Sequence, residues 1–484
     1  MRPGTRRSIL DTIFEVHQRE AALPNTFAYV ALFAWPLVSL ILFVQLPVEK
    51  AAIWSLLGGW LLLPSALKID VHVLPPFDKS SIPAMTTFVF CWMKGSQTPA
   101  PRRSILIYLL ALCLFLSPIL STLNNSYEIQ IGDRSLPGYY PIDGIKLAFR
   151  NLVMMAPFFI GMRFLSSEKA RALLLKSIPI AALLYSIPML FEIKMSPQLH
   201  KWVYGYYPSD FSQQYRAGGF RPVVFLDHGL QVALFTSIAV IAALVMVRGK
   251  WPLFRMRPGW AASYLSALLL LCKTLSAAVY SIFLAPLVLI TRPGTWLKVA
   301  LAILLFVCAY PALRTYNFIP LHHIVEAANS ISADRSTSFK TRVMNEDILL
   351  AKANQKPLLG WGSWGRNRVY QAGTGEDISV TDGGWIIQFG SWGWLGYLAY
   401  FGLFAAAVFR SRIAVRGPIT QDSIVVGGLS LIVAVNLLDM IPNSSVFPFT
   451  YLAAGAVAGA VRAKSAKKSP RPALAKARSP VAAE

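Results

Sequence analysis

The chain has 484 residues and a formal net charge of +23, with 55% hydrophobic residues, 14% charged residues and a mean hydropathy of +0.51. This balance excludes a large soluble enzyme and places the protein among polytopic membrane proteins. The excess of cations does not point to nucleic acid, because Lys and Arg fall on alternate connections between apolar runs instead of forming one groove-like patch.

Only a helix satisfies its own backbone polar groups in hydrocarbon, so each apolar run of roughly 20 residues reads as a span, and the chain holds about twelve. They lie near 27–45, 50–66, 104–121, 142–162, 172–191, 223–247, 259–272, 275–291, 297–313, 384–409, 421–440 and 444–461. The expected fold is an all-α transmembrane helix bundle. It divides into an N-terminal segment 1–26, nine spans across 27–313, a large outer loop 314–383, three spans across 384–461 and a basic tail 462–484. No small-residue cleavage site follows the first apolar run, so the first helix is expected to stay.

In a twelve-span arrangement, Arg102 and Arg103, Arg163, Lys169 and Arg171, then Arg248, Lys250, Arg255 and Arg257, and finally Arg410, Arg412 and Arg416 share one side. The positive-inside rule makes that side the cytoplasm. Arg2, Arg6 and Arg7 and the tail from Arg462 to Arg478 fall there too, so both termini are expected to be cytoplasmic. The tail reads as a solvated topology anchor or as a binder of anionic lipid. Cys91, Cys113, Cys272 and Cys308 stand singly in apolar surroundings, with neither metal-ligand nor disulfide spacing.

Connection 68–103 is expected in the cytoplasm, with Ser81 to Met93 as an interfacial or re-entrant helix too short to span. The outer face collects a short loop with Asn124, Asn125, Asp133 and Arg134, then the segment 192–222, then the large loop. A loop of roughly 70 residues exceeds ordinary connector length and points to function. Within it, Ser336 to Asn354 has a helical pattern with Phe339, Val343, Ile348 and Leu349 as apolar contacts, and Pro357 ends it.

Three groups of residues could carry chemistry. Arg216 and Arg221 flank a Gly pair just before the sixth span. Their guanidinium forks suit a phosphate, or else snorkel to lipid headgroups. Asp227 and His228 follow at the start of that span, where ionisable residues are costly and suggest function or an ion pair with Arg. Lys273, between the seventh and eighth spans, could hold an anionic headgroup or pyrophosphate, or cap a short helix. In the large loop stand Arg335, Arg342, the run Lys356-Pro-Leu-Leu-Gly-Trp-Gly-Ser-Trp-Gly365 and Thr381-Asp-Gly-Gly-Trp385. Trp361, Trp364 and Trp385 could stack on sugar rings or belong to a membrane-interface belt. Asp382, the carboxylate at the loop's return to the membrane, is the candidate base.

These residues resemble the O-antigen ligase and polymerase superfamily of bacterial envelope glycosyltransferases. Arg216-Ala-Gly-Gly-Phe220 is similar to that family's Arg-x-x-Gly-Phe element. Arg342, Ala351, Pro357 and Leu359-Gly360-Trp361-Gly362 resemble its pattern of Arg, Ala and Pro-x-x-Gly-x-Gly, and Gly390, Gly393 and Gly396 its glycine-bearing helix. Two positions depart from the family. Asp382-Gly383 stands where ligases usually have His then Asn, and Ser276-Ala277 where many members have Ser-Arg.

The resemblance implies a bacterial inner-membrane enzyme with a periplasmic site that moves glycan from an undecaprenyl-pyrophosphate-linked oligosaccharide to the hydroxyl of an acceptor glycan. Arg216, Arg221, Lys273 and Arg342 would hold the pyrophosphate, Asp382 would orient or deprotonate the acceptor, and the three tryptophans would line the sugar path. No cofactor or metal is expected. Membrane lipids, a chain-length regulator and a flippase are the expected partners, and nucleic acid is not. The departures favour a polymerase of capsule, exopolysaccharide or O-antigen over a ligase. A lipid-linked oligosaccharide transporter, with Lys146 and Arg150 on its path, and a non-enzymatic scaffold are the readings from other classes.

Overall fold

The computed structural model describes residues 23–460, apart from 72–74, 96–100, 102, 217, 254–255 and 320–332, and gives the backbone alone for 333–339. The N-terminal arginines, Arg102, Arg255, the basic tail and the side chains of Arg335 and Phe339 therefore lie outside the described residues.

Helices dominate, as the apolar runs require. In chain order they are α1 (Thr26–Gln45), α2 (Val48–Leu62), α3 (Ser81–Lys94), α4 (Ile105–Leu123), α5 (Pro141–Phe164), α6 (Glu168–Met195), α7 (Leu199–Tyr204), α8 (Gly229–Gly249), α9 (Pro258–Leu271), α10 (Leu275–Ile290), α11 (Pro293–Thr315), α12 (Ala333–Ala353), α13 (Gly384–Val415), α14 (Gln421–Asp439) and α15 (Pro448–Ala458). Two short antiparallel ribbons interrupt them: β1 (Ile129–Ile131) with β2 (Arg134–Leu136), and β3 (Tyr215–Arg216) with β4 (Gly219–Phe220). Among the described residues, α1, α4, α5, α6, α8, α11, α13 and α14 are long and apolar enough to cross a membrane. α9, α10 and α15 are shorter apolar helices. α8 and α14 are apolar on every face and buried along most of their length, so they form the centre of the bundle.

The first third of the chain departs from the twelve-span arrangement. Ser81–Lys94 forms α3, which packs on α1, α2 and α5. Just ahead of it, the Lys79 ammonium donates to Ser65 Oγ at 2.7 Å and to the Phe225 carbonyl at 2.8 Å. At its other end Lys94 donates to the Phe43 carbonyl near the end of α1. α3 thus runs from one end of the bundle to the other. α1 starts beside α7, where Asn25 N donates to the Tyr204 carbonyl at 2.9 Å, while α15 finishes against the last turn of α5 and beside Arg410. Thr26 and Ala458 therefore lie at opposite ends of the bundle, where a twelve-span arrangement sets the start of the first span and the end of the last on one side; the termini themselves lie outside the described residues.

A second correction concerns Val223–Leu226, expected inside the sixth span. These apolar residues form a buried non-helical segment ahead of α8, with Val224 at φ +53°. Its N–H groups are taken by side chains: Glu192 Oε2 accepts from Val223 and Val224 at 2.7 Å each, and the Tyr185 hydroxyl accepts from Phe225 at 2.9 Å. Buried backbone donors need such partners, and here a carboxylate replaces the helix.

The large loop contains the expected helix. α12 ends ahead of Pro357 and buries Val343 and Leu349, while Ile348 is exposed. Beyond it, the loop is stitched into a break in α13. Gly393 leaves helical geometry at φ +58°, ψ −164°. Trp394 and Leu395 N–H groups turn to the Pro357 and Leu358 carbonyls at 2.7 and 3.1 Å, and Trp361 and Gly362 donate back to Gly390 and Ser391 at 2.8 and 2.9 Å. The Gly-Trp run is therefore structural splice as much as surface.

Candidate functional site at one end of the bundle

A cavity of about 1170 Å³ opens at the bundle end where α8, α10, α13 and α15 begin and α9, α11 and α14 finish. Arg216, Arg221, Lys273, Arg342 and Asp382 all line it, although they come from three distant stretches of chain. Leu230, Leu234, Leu269, Leu270 and Leu275 make its apolar part, and Leu270 and Leu275 are 68% and 62% exposed on the outer surface of the bundle. The opening thus combines cations with an apolar, outward-facing surface, and Leu270 and Leu275 flank Lys273 itself.

Each cation is held differently. Arg216 stands exposed on the β3–β4 ribbon. Arg221 follows the ribbon, and its Nη2 donates to the Lys273 carbonyl at 3.1 Å, while its Nε is buried with no partner among the described residues. Burial, reinforced by the charges of Arg216 and Arg342, lowers its pKa to about 10, so it stays cationic at neutral pH. Lys273 occupies the α9–α10 turn at φ +51°, and the ribbon closes over it. A Cβ on Gly219 would fall 2.2 Å from the Lys273 ammonium, so glycine at that position is what lets the ribbon approach. Arg342 projects from α12, with its Nε 3.1 Å from Asp382 Oδ2, both side chains about half exposed.

Asp227 and His228 lie ahead of α8, not within it. His228 Nδ1 accepts the Leu230 N–H at 3.1 Å and caps the helix, which leaves the proton on Nε2 to donate to Gln213 Oε1 at 3.2 Å. Burial first, then the charges of Arg221, Arg216 and Arg342, lower its pKa to about 4. The imidazole is thus neutral at pH 7, and its cap fixes the start of α8 at the cavity wall.

None of the three tryptophans lines the cavity. Trp385 is fully buried, edge-on to Tyr310, and donates to Glu346 Oε1 at 3.2 Å. Arg314 approaches the same Glu346 at 3.5 Å and Asp347 at 2.8 Å, which fastens α12 to α11 and to the start of α13. Burial raises the Glu346 pKa to about 6. Trp361 is buried, donates to the Lys352 carbonyl at 2.7 Å and lies beneath the Lys352 and Lys356 ammonium groups at 3.6 and 4.5 Å from its ring centroid. Only Trp364, 52% exposed and 4.6 Å from the Tyr139 ring, offers an aromatic surface to solvent. For Trp361 and Trp385, stacking on sugar is replaced by packing.

Several residues of the site do not stand out in the sequence pattern. Glu192, buried at the end of α6, holds Val223, Val224 and Leu199 N–H groups. Lys79 is buried beneath the same segment. Asp439, at the end of α14, lines the cavity and accepts from the Tyr280 hydroxyl at 3.1 Å and from Asn443 at 3.0 and 3.1 Å. Glu192 and Asp439 each stand as a lone acid in an apolar run, a signal that could have found them. No group of His, Cys, Asp and Glu suited to a metal occurs among the described residues.

Comparisons of the chain with protein-family models, with curated proteins and with solved structures found no match to any of the three.

Proposed function

We propose that the protein is a glycosyltransferase of the bacterial inner membrane that extends a capsular, exopolysaccharide or O-antigen chain. It transfers glycan from an undecaprenyl-pyrophosphate donor to an acceptor hydroxyl. The observation that carries this reading is the meeting of Arg216, Arg221, Lys273 and Arg342 on one cavity whose remaining surface includes outward-facing leucines. Such a site suits an anionic headgroup on a long apolar chain: donors for the phosphates, and an apolar path for the lipid.

In this mechanism the pyrophosphate is the leaving group, and fixed cations stabilise the charge that develops on it as the anomeric bond breaks. Asp382 receives or orients the proton of the attacking hydroxyl, and Arg342 sets the direction of its carboxylate. Direct displacement inverts the anomeric centre. The far end of the bundle carries Arg163, Lys169, Arg171, Arg248 and Arg410 at helix ends, and this supports, by the positive-inside rule, a cytoplasmic far end and a periplasmic cavity. Lys146 and Arg150, the cations that a transporter would place on its path, do not line this cavity.

Gel analysis of lipid-linked and surface glycan tests the reading in a deletion strain complemented with wild type, Arg216→Ala or Asp382→Ala. Exported single repeat units without long chains are expected for the variants. Full-length polymer retained on the carrier would mean a ligase, and units trapped in the cytoplasm would mean a transporter.

A further inference from the structure

The cavity has two chemically different faces. Cations line the first. The second is built by Asp227 just ahead of α8, Gln231 in its first turn, Asp439 at the end of α14, and Asn443 and Ser445 in the connection to α15. Residues 439–447 include no Lys or Arg. A phosphate needs donors only and is repelled by carboxylates. A sugar hydroxyl both donates and accepts, and so fits a mixed set of carboxylate, amide and hydroxyl groups.

The second face is also pre-oriented. Gln231 Nε2 donates to Asp227 Oδ2 at 3.0 Å and to Ser445 Oγ at 2.8 Å, which leaves the Ser445 O–H to donate elsewhere. Asn443 and Tyr280 supply three hydrogen bonds to the Asp439 carboxylate, one fewer than the roughly four it can accept. Asn436 fixes the connection from below, donating to the Ser445 carbonyl at 2.9 Å and accepting from Phe447 N at 3.0 Å and the Thr450 hydroxyl at 2.7 Å. Asp382, by contrast, is already engaged by Arg342.

We propose that Asp439, Asn443 and Ser445, with Gln231 and Asp227, form a hydroxyl-reading subsite that holds a sugar ring of the glycan next to the pyrophosphate. This rests on the glycosyl-transfer reading and replaces the tryptophan platform with a polar one. The cationic face anchors the carrier whatever sugar it bears, and the polar face selects the sugar.

The test is native mass spectrometry or fluorescence titration of the full chain in lipid nanodiscs. The probes are undecaprenyl pyrophosphate and the same carrier bearing a hexose, an N-acetylhexosamine or a uronic acid. Wild type is expected to bind at least one sugar-bearing carrier more tightly than the bare one. Asp439→Asn and Ser445→Ala are each expected to lower that ratio by about tenfold, the scale of one lost hydrogen bond to a polar ligand. Arg221→Ala is expected to weaken all probes together, with the ratio kept.

If no sugar raises wild-type affinity, or if both polar-face variants keep the ratio, the subsite is wrong while the transferase reading stands. Variants that weaken bare and sugar-bearing carrier equally would assign this face to the phosphates and also overturn it. A wild-type protein that binds no carrier at all would instead overturn the transferase reading.

Discussion

Arg342 Nε and Asp382 Oδ2 stand 3.1 Å apart and join α12 to the segment that leads into α13. A half-exposed pair of this kind contributes under about 1 kcal/mol to stability, so its presence is better explained by the site than by the fold. Asp382→Asn is expected to leave the melting temperature nearly unchanged and to lower the turnover of chain extension by about 10²-fold, the lower range for loss of a general base. Asp382→Ala combined with Arg342→Ala should be no slower than the worse single variant if the two act as a unit. Purified enzyme with lipid-linked repeat units provides the rates. Additive losses would mean that Asp382 acts independently of Arg342.

Arg221 is the cation most firmly built into the cavity, through its bond to the Lys273 carbonyl and its buried Nε. Lys at this position keeps the charge and loses the fork. Arg221→Lys is expected to weaken undecaprenyl pyrophosphate binding by roughly 10- to 100-fold, the range of one or two charge-assisted hydrogen bonds. Arg216→Lys, at an exposed ribbon position, should cost less. Equilibrium titration in nanodiscs ranks them, and the reverse order would make Arg216 the principal ligand.

His200 is buried, accepts the Ser65 N–H on Nε2 at 3.2 Å and therefore donates from Nδ1 to the Tyr206 carbonyl at 2.8 Å. Burial lowers its pKa from 6.5 to about 4, despite the carbonyl's opposing pull. The unfolded chain thus binds a proton at this residue before the folded one does. Stability from the neutral ring is fully present above about pH 6.5 and falls as the pH drops toward 4. Thermal unfolding followed across that window should show the decline, and His200→Gln, less stable at pH 7, should show a shallower one. An identical slope in the variant would place the acid sensitivity in other groups.

Much of the bundle and part of the cavity are legible in the amino-acid sequence. Apolar runs locate the helices to within a few residues, and cation chemistry picks out four residues that share one cavity, because charge in an apolar chain is costly enough to mark its purpose. Hydropathy fails where an apolar segment is buried without being helical. Val223–Leu226 looks like the start of a span because a window sums side chains and cannot see that Glu192 and Tyr185 satisfy its backbone. It fails again at α3, whose 14 residues fall below the length of a full crossing yet pack among longer neighbours. The tryptophans mislead because indole suits sugar, interface and core alike, and sequence carries no measure of burial.

Gly393 is the position where α13 breaks. Its φ of +58° is strained for any L side chain, and a Cβ there would lie 2.4 Å from the Leu358 carbonyl carbon. Gly390, three residues earlier, would put its Cβ no closer than 3.4 Å to any neighbour. Gly393→Ala is expected to destabilise the protein by several kcal/mol, the sum of strain and overpacking at a splice that cannot relax. Gly390→Ala should fall within about 1 kcal/mol of wild type, since alanine favours the helix. Melting temperatures in detergent compare the two, and equal effects would mean that the splice does not constrain this helix.

Glu192 tests whether the cavity depends on what lies beneath it. Its two carboxylate oxygens accept three backbone N–H groups, two from the segment that carries Arg221 toward α8 and one from the start of α7. Glu192→Ala orphans all three in a buried place, at about 1 to 3 kcal/mol each. Glu192→Gln keeps the shape but turns an amide NH₂ toward at least one of these donors, so it is expected to destabilise less and still loosen the segment. The informative readout is the ratio of effects at a temperature where both proteins are folded. Glu192→Gln should weaken undecaprenyl pyrophosphate binding through a displaced Arg221, and in the Arg221→Ala background the same substitution should have little further effect. A full additional loss there would show that Glu192 acts on the ligand by a route that does not pass through Arg221.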